Sequence, residues 1–152
     1  MASRRPGLAL ALAAATALTM TGRSAQLATD DVSARLVEAT GLNGALVEVQ
    51  HPAAPWNDKI VIWMMVDDDS ADAVAEDVRE VAAFAAEDRD LGGQDLTLAA
   101  AKGAPADFPD RSSLVLSAAY VMGSVAAQVG GKGVEDLLEL DADDVRRLAR
   151  RW

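Results

Sequence analysis

The 152-residue chain has no cysteine, one histidine, three Lys among its 14 basic residues, and few aromatics: three Trp, two Phe and one Tyr. Without cysteine there is no disulfide, no thiolate nucleophile and no thiolate metal site. A zinc site resting on His51 alone would have to be completed by carboxylates, an uncommon arrangement. No Gly-x-Ser-x-Gly occurs, and Gly123-Ser124 lacks the second glycine, so a serine held at a nucleophile elbow is excluded as well. Basic charge is also short: 24 acids against 14 bases give −10. Such a surface repels phosphate backbones and anionic head groups, so nucleic acid is not an expected partner. With so few aromatics and so much alanine, the core should be thin and rich in helix.

The composition itself, Ala-rich and with Arg far above Lys, resembles GC-rich bacterial coding. At the N-terminus, Arg4 and Arg5 precede an uncharged apolar run over residues 8–20. A basic segment followed by 13 apolar residues is the order of a secretory signal, and the run is short of the about 20 residues a spanning helix needs. Small residues follow at Thr21, Gly22, Ser24 and Ala25. The stretch Leu18-Thr19-Met20-Thr21-Gly22 resembles a bacterial lipobox, but Arg23 stands where the lipidated Cys would be. The sequence therefore predicts a signal segment at 1–22, cleaved or retained as an anchor, that engages the membrane during export. Residues 23–152 then form one domain outside the cytoplasm. Because Arg4 and Arg5 lie in the signal segment, that domain carries near −12.

Along the domain, Val32, Leu36 and Val37 predict a helix over 30–40, ended by Gly41. Residues 45–50 read as a strand with Ala45, Val47 and Val49 on one face. Residues 51–58 hold two prolines and Asn57-Asp58 and read as a loop. Residues 59–66, Lys-Ile-Val-Ile-Trp-Met-Met-Val, are apolar on both faces, as in a central strand covered on both sides. Together the two strands make a hairpin. A helix over 69–88 carries a stripe of Val74, Val78, Val81 and Ala85, with Asp69 placed to cap it. A third strand is expected over 95–101. From 112 to 131 the chain has no charge. Leu114, Ala118, Val121, Met122, Val125 and Val129 share one helical face, which predicts a single helix ended by Gly130, Gly131 and Gly133. A last helix over 141–152 has its acids first and its arginines last, with Asp143 and Arg147 as an i,i+4 pair. The fold class is thus α+β: a small mixed sheet of about three strands in helix-strand-strand-helix-strand order, packed by helices, with further helices at the C-terminus. In element order this resembles small bacterial envelope modules such as BON domains.

Three groups of residues invite a functional reading. Asp67, Asp68 and Asp69 cluster at a strand end and could hold a hard cation such as Ca²⁺ or Mg²⁺, although they lack the spacing of an EF-hand loop. The ordinary reading is a solvated turn whose last Asp caps the helix. Gly130-Gly131-Lys132-Gly133 resembles a phosphate loop but has Ala126 and Gly133 where the motif needs Gly and Ser or Thr, which leaves a helix end and turn. Ser113, Ser117, Tyr120, Ser124 and Gln128 recur at steps of 4, 3, 4 and 4 and predict an uncharged stripe. Such a stripe suits a partner protein, self-association or a pocket wall, or else burial against the chain's own C-terminal helix. No cofactor motif is present. The sequence points to a non-catalytic envelope protein that binds a partner or plays a structural part. A small-ligand or cation-binding protein, or a carboxylate-dependent hydrolase, is the alternative. A cleft joining Asp67 to a second acid such as Glu48 would favour the hydrolase.

Overall fold

The central strand dictates the architecture. In the computed structural model, which describes residues 27–52 and 58–151, β2 (Lys59–Val66) is buried from Ile60 to Val66. The signal segment expected at 1–22 and Trp152 lie outside the described residues, and among those described no helix is long and apolar enough to cross a membrane. Successive side chains of a strand point to opposite faces, so an all-apolar strand must be covered twice. Ile60, Ile62, Met64 and Val66 enter one core, while Val61, Trp63 and Met65 enter another on the reverse face. Each such side chain is worth roughly 1.5–3 kcal/mol when fully buried.

The first core lies under α1 (Thr29–Ala39) and α2 (Ala71–Glu87). In α2, Val74, Val78, Val81 and Ala85 are buried, as their spacing predicts, together with Ala75 and Ala82. Strand β1 (Gly44–Gln50) pairs antiparallel with β2, so the hairpin forms, and β3 (Leu96–Lys102) returns through α2 to lie parallel to β2. The unpaired side of β1 is partly closed by α1, where the Ser33 hydroxyl accepts from Val47 N at 3.1 Å. Arg35 ties α1 to the far end of α2 through Asp88 (3.0 Å) and Asp90 (2.7 Å).

The fold is mixed α+β, but its sheet has five strands and not about three, in the order β1-β2-β3-β5-β4. The two additional strands, β4 (Lys132–Val134) and β5 (Leu137–Leu140), form a hairpin across the two-residue turn Glu135-Asp136. The glycines before them do end a helix, yet they also start this hairpin. Gly130 and Gly131 have φ of 82° and 85°. A Cβ on Gly133 would lie 2.9 Å from Gly123 Cα and 3.0 Å from Met122 O, so glycine there permits the hairpin to approach the helix backbone.

The second correction concerns the uncharged run. It is two helices, α3 (Arg111–Leu116) and α4 (Met122–Val129), broken between them. The cause lies in the sheet. Strand β5 pairs only with Leu96 to Leu98 of β3, which leaves the upper half of that strand's edge open. Ala118 forms a bridge with Ala101, and Ala119 N donates to Ala100 O at 2.8 Å. An unsatisfied buried carbonyl costs about 1–3 kcal/mol, so satisfying it favours the break over another helical turn. The break also lets one segment serve both faces. Leu114 and Ala118 cover the Trp63 side, while Met122, Val125 and Val129 join the core under α2.

The remaining differences are local. Ser70, not Asp69, is the N-cap of α2, with its hydroxyl accepting from Ala73 N at 3.4 Å. The last helix, α5 (Ala142–Ala149), begins at Asp141, whose carboxylate accepts from Asp144 N at 2.7 Å. Its ion pairs run Asp143–Arg146 and Asp144–Arg147, three residues apart and not four. Arg147 is drawn aside because its Nη1 donates to Val129 O at 2.9 Å, at the electronegative end of α4.

Candidate functional site

The acidic triplet does not converge. Asp67 accepts from Asn43 Nδ2 at 2.7 Å, and Asn43 also donates to Gly103 O at 3.0 Å, which stitches the ends of β2 and β3 together. Asp68 accepts from Ser70 N at 2.9 Å, and that backbone bond holds its carboxyl below the usual range. Asp69 is half-buried at the start of the turn. Among the described residues, no three His, Cys, Asp or Glu side chains are grouped so as to hold a metal ion. One acid of this corner is absent from the sequence reading. Asp77, half-buried one and a half turns into α2, is pushed up to about 6 by burial first, then by Glu80, Asp67, Asp68 and Glu76. Periodicity hides it, because an Asp beside a helix stripe looks like any solvated residue.

Glu48 stands elsewhere, on the Trp63 face. It accepts from Trp63 Nε1 at 3.0 Å and from Arg111 Nε at 2.5 Å, and the Arg111 guanidinium lies 5.8 Å from the Trp63 ring centre. Burial pushes the Glu48 carboxyl up, but these donors outweigh it and leave the group below the usual range. Glu48 pairs with Val61 in the register, six residues before Asp67; at about 3.3 Å per residue the two acids are roughly 20 Å apart along the strand. Their partners differ as well, Trp63 and Arg111 for Glu48 and Asn43 for Asp67. The trio instead fastens the start of α3 to the sheet. Likewise His51 Nδ1 and Asp58 Oδ1, 2.6 Å apart and both exposed, close the mouth of the β1–β2 loop.

A groove of about 680 Å³ opens at this same end of the sheet, away from Asp67, with Asp58, Lys59, Thr97, Lys132 and Glu139 in its wall. Lys59 and Lys132 reach the same Glu139 carboxylate at 3.0 and 4.0 Å. The Lys59 hydrogen bond keeps Glu139 low. None of the stripe residues lines this groove.

The stripe is at the surface. Ser113 is half-buried and completes a reciprocal cap with Asp110, accepting from its N and donating to its carbonyl at 2.7 Å. Ser117 donates to Ser113 O at 2.9 Å and is exposed, as is Ser124. Gln128 is exposed and donates to Asp72 Oδ1 at 2.8 Å, which links α4 to the first turn of α2. Tyr120 is 85% exposed, and Leu116, four residues earlier in the chain, is 87% exposed. Burial against the C-terminal helix is therefore overturned for Ser117, Tyr120, Ser124 and Gln128, and α5 rests on α2. The sequence reading missed Leu116, because a continuous helix gave no reason for a leucine to face outward. Leu116 and Tyr120 are the two most exposed large apolar side chains among the described residues; only Val134, at 38%, is otherwise exposed. They flank the α3–α4 corner, in a run where nine exposed positions carry no charge. Compared with known proteins, the chain matches no family model, and no curated protein or solved structure is significantly similar to it.

Proposed function

We propose that this chain is an exported, non-catalytic protein that binds another protein through the corner between α3 and α4, where Leu116 and Tyr120 are exposed. One observation carries the reading: in a chain that is 25% charged, twenty consecutive uncharged residues include an outward-facing Leu116 and Tyr120. Interface centres are depleted in charge and enriched in Tyr, and an apolar side chain held in water gains free energy only when something covers it. Ser117, Gly123 and Ser124, exposed and within four residues of Tyr120 in the chain, are small enough to admit a close approach. The scaffold supports the corner from both sides. Leu114 and Ala118 anchor it to one face of the sheet, and Met122 and Val125 to the other. The dispersal of the acids argues for binding over carboxylate catalysis, since Glu48 and Asp67 serve separate structural ends. Export rests on the charge order of residues 1–22.

The test is site-specific photo-crosslinking in intact cells of the native host, with a photoreactive residue at Leu116 or Tyr120 and a control at the exposed Gln94. Adducts at the first two positions, absent at Gln94 and found in the extracytoplasmic fraction, are expected. Equal labelling at all three positions, or adducts confined to the cytosol, would overturn the reading.

A further inference from the structure

We infer that the groove beside Lys59 and Lys132 binds a small zwitterion, a molecule that carries a carboxylate and an ammonium group as a free amino acid does. The groove is separate from the α3–α4 corner, so the site stands whether or not that corner binds a partner. Sheet register assembles its floor. Val61 of β2, Thr97 of β3, Glu139 of β5 and Lys132 of β4 are paired in turn across the sheet, and residues paired in this way share a face. Lys59, two residues before Val61, lies on that face as well. Its bond to Glu139 spans β3, because β2 and β5 flank that strand. Leu114 and Ala118 cover the same face around Trp63, Ala99 and Ala101, which leaves Thr97 and Glu139 to the groove.

Thr97 is the residue that points to a ligand. At 2% exposed it is the one buried polar side chain among the described residues, and it stands in the groove wall. None of the described residues hydrogen-bonds its hydroxyl, yet among them no fully enclosed side-chain oxygen or nitrogen lacks a partner. The hydroxyl therefore opens on the groove, where a ligand atom that met it would be favoured.

The charges of the wall select the ligand. Asp95 and Asp141 accept from Ala142 N and Asp144 N at 2.9 and 2.7 Å. The spare donors are on the other side. Lys59 spends one N–H on Glu139, and Lys132, at 4.0 Å, lies beyond hydrogen-bond reach of it. With the Thr97 hydroxyl, these donors suit a carboxylate. A simple anion is disfavoured, because five acids stand in the wall against two lysines. A simple cation would leave the lysine and Thr97 donors unused. A zwitterion carries no net charge and can use both. Asp95 and Asp141 lie two residues along β3 and β5 from Thr97 and Glu139, roughly 7 Å away at the strand rise. The carboxylate then lies at Lys132 and Thr97, and the ammonium points toward Asp95 and Asp141. A volume of about 680 Å³ is that of a small-molecule site.

The experiment is amide-detected NMR on the purified protein, titrated with each common free amino acid and with acetate and methylammonium as the separate halves. Saturable shifts at Thr97, Lys132 and Leu140 are expected with at least one amino acid. Acetate and methylammonium should each bind at least roughly tenfold more weakly, since each meets only one end of the site. Lys132→Ala should weaken binding roughly tenfold, and Thr97→Val by roughly threefold to tenfold, both with an unchanged circular dichroism melt. The Lys132 side chain is 76% exposed, so that variant carries the test if Thr97→Val shifts the melt. Glu139→Gln should tighten binding, because the protein's own carboxylate then no longer competes for the two lysines. No saturation by any amino acid, or acetate or methylammonium binding as tightly as the best of them, would overturn the inference. So would Lys132→Ala without effect, or weaker binding by Glu139→Gln.

Discussion

Asp77→Asn should make this protein more stable at neutral pH. In the fold the carboxyl titrates near 6, against 3.8 for the free group. The folded state thus favours the protonated form. Its contribution to stability is present below about pH 4 and is lost as pH rises through 6. About two pKa units correspond to roughly 3 kcal/mol at most. The side chain still reaches solvent, and its acidic neighbours are screened, so about 1–1.5 kcal/mol is the realistic figure. Asn mimics the neutral acid, has a similar helix propensity, and does not titrate. Urea denaturation of both proteins at pH 4 and pH 7.5 reads the difference directly: near zero at the lower pH, and about 1 kcal/mol in favour of Asp77→Asn at the higher, or roughly 3–5 °C in melting temperature. Burial is the larger cause of the shift, ahead of Glu80, Asp67, Asp68 and Glu76. Most of the gap should therefore survive 0.5 M salt. A variant less stable than the parent at pH 7.5, or a gap that does not change with pH, would refute the reasoning.

Two further perturbations probe the scaffold. Gly133→Ala should cost about 1–3 kcal/mol by forcing β4 away from α4, where the new Cβ would lie 2.9 Å from Gly123 Cα, whereas Gly123→Ala, with nothing within 4 Å, should be neutral or stabilise α4; a chemical-denaturation series on the pair should show a loss for the first and none for the second. Arg35→Ala should lower stability, because it leaves the Asp88 carboxylate, whose side chain is only 5% exposed, with only the Asp90 and Leu91 backbone N–H groups as partners. That loss should shrink as pH falls. Burial raises the Asp88 carboxyl, but the Asp90 N–H, Arg35 and the Leu91 N–H hold it below its usual value, and their support disappears once it is protonated.

Strong periodic signals in the sequence matched the structure, and weak or composite ones did not. The all-apolar run of β2 and the stripe of α2 each encode one surface, so strand, hairpin and helix follow from spacing alone. Strands β4 and β5 are three and four residues long, too short for alternation to register. Their turn also carries Glu135 at φ 56° where Gly or Asn would have announced it. The uncharged run misled because its apolar positions satisfy a helical period even though they belong to two helices on opposite faces of the sheet. Only the open half-edge of β3, a tertiary fact, explains why the chain leaves the helix at Ser117. The stripe thus lies at the surface, but not on one helix face, and its most exposed apolar member, Leu116, is visible only once the break is known. The acids at 67–69 illustrate the same limit. Adjacent carboxylates in sequence point to a shared ligand only if they converge, and here Asn43 and Ser70 take two of them in different directions.

The reading of the corner as a contact face depends on the uncharged run being surface at Ser117 and core at Ala118. A glutamate placed at each position in turn, followed by thermal melting, tests this directly. Ser117 is exposed and Ala118 is 7% exposed among Trp63, Ala99 and Leu114. Ser117→Glu should melt within a degree or two of the parent, while Ala118→Glu, which buries an unpaired carboxylate, should lose several kcal/mol and unfold most of the protein at room temperature. A collapse of Ser117→Glu, or a tolerated Ala118→Glu, would contradict the account and remove the surface on which the proposed function stands.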